Sequence, residues 1–133
     1  MQTPKIIAFA NQKGGSGKST SAAHAAFWLA QKGLSVMLVD ADGQQSSSAW
    51  LNELGLDYKV LIDPEQLFES LPAFSDDYDV VVVDGPGSLS EVTKAILTRC
   101  DLVLVPVVSQ KMLPVTKLLR FLSETMQLIR RFD

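Results

Sequence analysis

Two lysines, Lys13 and Lys18, lie in the glycine-rich stretch NQKGGSGKST at residues 11–20. Glycines let a backbone bend so sharply that successive N–H groups converge on phosphate oxygens. Lys18 is placed to neutralise the β- and γ-phosphates of a nucleotide, and the Ser19 hydroxyl to coordinate Mg²⁺. Gly14, Gly15, Ser16, Gly17, Lys18, Ser19 and Thr20 together form the candidate nucleotide cradle. One lysine is enough for that grip, so Lys13 needs a separate account.

A phosphate loop works only between a strand and a helix, because the helix N-terminus adds its partial positive charge. The flanking sequence supplies both: KIIAFA (5–10) reads as a buried strand and residues 19–32 as a helix, closed by Gly33 in the left-handed conformation. The same alternation continues. SVMLVD (35–40) is a second strand, residues 49–54 a short helix, YKVLI (58–62) a third strand, and PEQLFESL (64–71) a helix with Pro64 in its first turn. DVVVVD (79–84) is a continuous apolar run bounded by acids, the pattern of a central strand covered on both faces. A helix over 90–99, the strand DLVLVPV (101–107) and an amphipathic helix over 114–131 complete the chain. This order predicts one α/β domain over 1–133, a mostly parallel sheet with helices on both faces.

The usual phosphate loop opens on glycine, where this chain has Gln12, and Lys13 is added in KGGSGKS. Here the sequence resembles the ParA/MinD family of deviant Walker P-loop ATPases, marked by KGGxGK[ST]. The likeness continues through VDADGQQS (39–46), YDVVVVDGPGSLS (78–90) and CDLVLVPVVSQ (100–110), and the DGxGSLS form is most similar to small plasmid-partition ParA proteins of the ParF type. The resemblance implies ATP and Mg²⁺ as cofactors. It implies that Lys13 reaches across an ATP-dependent homodimer to the partner's phosphates, that Asp42 positions the attacking water, and that Asp40 and Asp84 lie near Mg²⁺, Asp84 through a coordinated water. Phosphoryl transfer needs little covalent help, so charge neutralisation and an oriented water are the chemistry such groups supply. Taken singly, Asp40 and Asp42 also read as capping or loop-solvating groups and Asp84 as a polar strand end. Gly43 stands where the family often has proline, and Gly85 is read as making room for the γ-phosphate or for loop movement.

Composition sets outer bounds. The chain has 133 residues, 47% hydrophobic and 20% charged, with a formal net charge of −3, which suits a soluble globular domain rather than a disordered one. An acidic balance argues against a basic nucleic-acid surface over the whole chain. The single cysteine, Cys100, forms neither an intrachain disulfide nor a cysteine metal site and reads as inert, and a cytoplasmic location, with nucleoid association, is the expectation. No signal peptide is read at the start, whose apolar run leads directly into the glycine loop. His24, Trp28 and Trp50 read as packing residues, and Ser46–Ser48 as a loop. The helix over 114–131, with Lys117, Arg120, Arg130 and Arg131, reads as a sheet-covering helix rather than a MinD-like membrane helix.

The resemblance therefore implies a Mg²⁺-dependent ATPase that dimerises with ATP, binds non-specific DNA, and releases it when a ParB-like or other partner protein promotes hydrolysis. A plasmid is the expected cargo. Two alternatives stand beside it: a non-hydrolysing nucleotide-binding or interaction module, and a MinD-like membrane-associated ATPase. Family members continue beyond the 114–131 helix, so the chain is expected to lack the C-terminal part of the family domain, and to oligomerise or exchange elements to cover an exposed sheet edge.

Overall fold

The computed structural model describes residues 4–10, 18–42, 55–86 and 90–105, with the backbone alone for 18–20. In chain order the elements are β1 (Ile6–Phe9), α1 (Lys18–Gln31), β2 (Val36–Asp40), β3 (Asp57–Val60), α2 (Pro64–Asp77), β4 (Val80–Asp84), α3 (Glu91–Arg99) and β5 (Leu102–Leu104). The five strands form one sheet in the order β3-β2-β4-β1-β5, and every pairing is parallel.

Burial follows from that order. All five residues of β2 and all five of β4 are buried, as the apolar runs require of strands covered on both faces. The edge strand β3 alternates exposed and half-buried residues, and on the opposite edge Leu102 and Leu104 of β5 are exposed. Alternate side chains of β4 divide the core. Val80 and Val82 pack with Val36, Leu38 and Phe9 against Ala22, Ala23 and Ala26 of α1. Val81 and Val83 pack with Ile6, Ala8, Met37 and Val39 against Leu67 and Leu71 of α2 and Ile96 of α3. The expected α/β layering is therefore present, with α1 on one face of the sheet and α2 and α3 on the other.

The strand starts are tied by side chains. One carboxylate oxygen of Asp101 accepts from the N–H groups of both Lys5 and Ile6, each at 2.9 Å. Ser35 N–H donates to Asp79, and Asp79 N–H donates back to the Ser35 hydroxyl, both at 2.9 Å. These exchanges align β1 with β5 and β2 with β4 at the end of the sheet remote from the glycine loop.

Gly33 ends the α1 turn at φ +90°, the left-handed conformation expected of it. Helix α2 begins as the sequence predicts, with Pro64 at its start and the Asp63 carboxylate accepting from Gln66 N–H at 3.0 Å. It does not end at Leu71. It runs on to Asp77 through Pro72. Proline lacks the N–H that would bond the carbonyl four residues earlier, here that of Phe68. Arg99 at the end of α3 supplies the missing donor: its Nε bonds the Phe68 carbonyl at 2.9 Å and its guanidinium lies 3.7 Å from the centre of the Phe68 ring. The interruption is thus satisfied from outside the helix, and α2 packs along α3. Helix α3 starts on Ser90, whose hydroxyl accepts from Thr93 N–H, and Glu91 sits in its first turn. The short helix expected over 49–54 and the helix over 114–131 lie outside the described residues. Among the described residues no helix is long and apolar enough to cross a membrane.

Candidate functional site

In a parallel sheet the loops that follow the strands gather at one end, and a ligand crevice opens where successive connections leave to opposite faces. Here the connection after β1 carries α1 to one face and the connection after β4 carries α3 to the other, while β1 and β4 are neighbours. The crevice therefore lies at the ends of β1 and β4, where the glycine loop follows β1 and Asp84 closes β4.

Register brings the predicted acids together. Asp40, the last residue of β2, pairs with Asp84, the last of β4, and Asp84 pairs in turn with Phe9 of β1. Paired residues of a sheet share a face, and the alternation through Val36 and Leu38, and through Val80 and Val82, places both carboxylates on the α1 side. Both residues are fully buried, at 0% and 1% exposure. Forty-four positions apart in sequence, they become neighbours only because β2 lies beside β4.

Asp42 is half-buried just past β2, and its N–H donates to Asp40 Oδ1 at 3.0 Å. Asp40 therefore holds the backbone on which Asp42 is carried, a loop-capping role alongside any role toward a metal. Capping and metal proximity are not exclusive for Asp40, because a carboxylate has lone pairs for both. The D-x-D spacing was the available signal. Ala41 N–H bonds Asp84 O at 2.9 Å, which ties the start of the same loop to β4.

Lys18, Ser19 and Thr20 open α1, so the predicted loop does lead into a helix N-terminus on the face that carries Asp40 and Asp84. Lys13, Gly14, Gly15, Ser16 and Gly17 lie outside the described residues, as do Gly43, Ser46–Ser48 and Trp50. Among the described residues no three His, Cys, Asp or Glu side chains converge as a metal cage. Two buried carboxylates at neighbouring strand ends, on the face that α1 covers, fit Mg²⁺ nonetheless, because that ion is usually held by one or two carboxylates, phosphate oxygens and water.

At Gly85 the backbones of β4 and β1 approach closely: a Cβ there would meet the Phe9 carbonyl oxygen at 3.1 Å and Ile96 Cδ1 at 3.6 Å. The same carbonyl accepts Gly85 N–H at 3.0 Å, so the glycine lets β4 continue against β1 beyond Asp84. Trp28 and His24 are exposed rather than packed, Trp28 at 56%, because Ala22, Ala23 and Ala26 occupy the sheet-facing side of α1. Cys100 conforms to the inert reading. Burial, with a smaller contribution from the Asp101 charge, raises its thiol pKa to about 11, and its Sγ contacts the Leu97 carbonyl.

Residues 7–130 match the family model described as the CobQ/CobB/MinD/ParA nucleotide binding domain. The chromosome-partitioning ATPase Soj of Thermus thermophilus is 35% identical over 133 aligned positions, covering 76% of this chain and 53% of the relative. The maintenance of carboxysome distribution protein A of Gloeobacter kilaueensis is 40% identical over 108, covering 77% and 49%. The chain thus spans about half the length of these curated relatives. Among solved structures, cobyrinic acid a,c-diamide synthase from Mycobacterium smegmatis with a bound ATP analogue and magnesium superimposes with a TM-score of 0.84 at 25% identity, over 94% of this chain and 67% of that one. With its P-loop α/β fold, its paired acidic strand ends and a family match across nearly its whole length, this chain belongs to the CobQ/CobB/MinD/ParA family of nucleotide-binding domains.

Proposed function

We propose that the chain binds ATP with Mg²⁺ and acts as the nucleotide switch of a partition-type ATPase. The observation that supports this most directly is the register of Asp40 with Asp84, two buried carboxylates on the α1 face at the loop end of the sheet. In this reading the glycine-loop amides, the α1 N-terminus and Lys18 hold the phosphates, and Ser19, Asp40 and Asp84 hold the metal side of the site. Bound Mg²⁺ would neutralise charge on the phosphate oxygens. Asp42, fixed through its own N–H to Asp40, orients the attacking water. Lys13 reaches the phosphates of a second subunit, so ATP favours a face-to-face homodimer, and a partner protein triggers hydrolysis. Its relatives point to plasmid or chromosome DNA, or a large protein assembly, as the cargo.

The test is nucleotide binding and turnover by the whole chain with Mg²⁺ or EDTA, alongside Lys18→Ala and Asp42→Ala. Wild type should bind ATP, Lys18→Ala should not, and Asp42→Ala should bind without turning over. The Asp42→Ala protein should be larger in ATP than in ADP, and the added Lys13→Ala change should abolish that difference. Failure of the wild-type chain to bind any nucleotide would sink the proposal, and binding without turnover would reduce it to a nucleotide-binding module.

A further inference from the structure

The two helical layers differ sharply in charge. The first 39 residues contain Lys5, Lys13, Lys18 and Lys32 and no acid at all; all 15 acidic residues begin at Asp40. Helix α1 itself therefore carries no carboxylate. The α2–α3 layer carries Asp63, Glu65, Glu69, Asp76, Asp77 and Glu91 against two cations, both engaged. Lys94 pairs with Glu91 at 3.2 Å, and Arg99 is bonded to the Phe68 carbonyl and stacked on its ring.

Each layer also exposes an aromatic residue. His24 and Trp28 of α1 and Lys32 just past its end recur every fourth residue as an exposed stripe, with Lys32 Nζ 5.1 Å from the centre of the Trp28 ring. On the other layer a groove of about 270 Å³ runs between α2 and α3, lined by Pro64, Phe68 and Ala95 and bordered by Glu65, Glu69 and Glu91. Phe68 is 40% exposed within it. An exposed tryptophan beside the Lys32 ammonium is the chemical complement of an apolar groove edged with carboxylates.

We propose that the groove between α2 and α3 receives the Trp28–Lys32 stripe of a second copy of this chain. The indole fills the groove against Phe68, and Lys32 meets Glu65 or Glu69. The two surfaces lie on opposite faces of the sheet, so one molecule cannot satisfy its own groove. The contact is heterologous: each copy leaves one free stripe and one free groove, and association continues head to tail instead of closing at two. It uses neither the glycine loop nor the strand ends, so it is independent of nucleotide and its failure leaves the ATP reading untouched.

Sedimentation velocity of the nucleotide-free chain over a range of concentrations tests it. The average mass should climb past a dimer as concentration rises, and salt should weaken the association because the rim pairs are solvent-exposed. Trp28→Ala and the double change Glu65→Lys with Glu69→Lys alter exposed positions, and circular dichroism should show both folded. Each alone should lose self-association at least tenfold. Mixed together they should form a dimer that stops at two, because one variant keeps an intact groove and the other an intact stripe. A wild-type mass that does not change with concentration overturns the proposal and leaves the groove to a different basic partner. Variants that associate like wild type, or a mixture that fails to pair, overturn it equally.

Discussion

Arg99 satisfies a carbonyl that Pro72 leaves without its helical donor, and the size of that effect can be worked out. Replacing Arg99 by alanine removes the 2.9 Å bond to the Phe68 carbonyl and the 3.7 Å stacking on its ring. A hydrogen bond from a charged donor contributes about 1.5–3 kcal/mol. A partly exposed cation–aromatic contact adds about 0.5–1 kcal/mol. Because Phe68 is 40% exposed, water can partly replace the guanidinium, which puts the total near the low end, at about 2 kcal/mol. With a urea slope of about 2 kcal/mol/M, the unfolding midpoint should fall by roughly 1 M. The decisive measurement is the same substitution in a Pro72→Ala background. Alanine at 72 restores an N–H to bond the Phe68 carbonyl, so Arg99→Ala should there cost about 1 kcal/mol or less, a coupling of about 1 kcal/mol. Urea denaturation of the four proteins, followed by circular dichroism, gives the cycle. Equal losses in both backgrounds would show that Arg99 does not act by replacing the missing proline donor.

Gly85→Ala should lower stability by about 1–3 kcal/mol, since its new methyl meets the rigid Phe9 carbonyl at 3.1 Å; an unchanged urea midpoint would contradict this. The Asp79 carboxyl is held below its ordinary 3.8 chiefly by the Ser35 N–H, so it favours the fold above that pH and loses its contribution as pH falls through its folded value. In Asp79→Asn the urea midpoint should therefore differ most from wild type near neutrality, and the gap should close in acid; a gap constant down to strong acid would count against that bond. With its pKa raised from 9.0 to about 11, Cys100 holds roughly a hundredfold less thiolate near neutral pH than an ordinary cysteine. Iodoacetamide should thus modify the native chain far more slowly than the urea-unfolded chain, and equal rates would refute the burial argument.

What could be read from sequence depended on whether the deciding contact was local. DVVVVD and SVMLVD announce their strands because burial on both faces leaves uninterrupted apolar runs. Gly33 and Pro64 act through their own backbone geometry, and both do what they predict. The length of α2 was not legible, because the group that completes it is Arg99, 31 residues beyond Phe68. The exposure of Trp28 and His24 was legible only in part. The alanines at 22, 23 and 26 mark the buried side of α1, but large aromatic residues are ordinarily expected inside. At the candidate site, the D-x-D pair and Asp84 stood out by type. Their meeting depends on β2 lying beside β4, and strand order is a long-range property that spacing does not encode.

That strand order has a consequence for how the chain is made. Neither β1 nor β2 pairs with the other, and both wait for β4, which begins only at Val80. On a ribosome, which delivers the N-terminus first, the apolar strands before and after α1 emerge long before their common neighbour. During that interval they expose unpaired edges, and non-local parallel pairing is slow to form even once β4 arrives. The central strand that later aligns Asp84 with Asp40 is therefore also the one whose synthesis ends the nascent chain's most aggregation-prone stage.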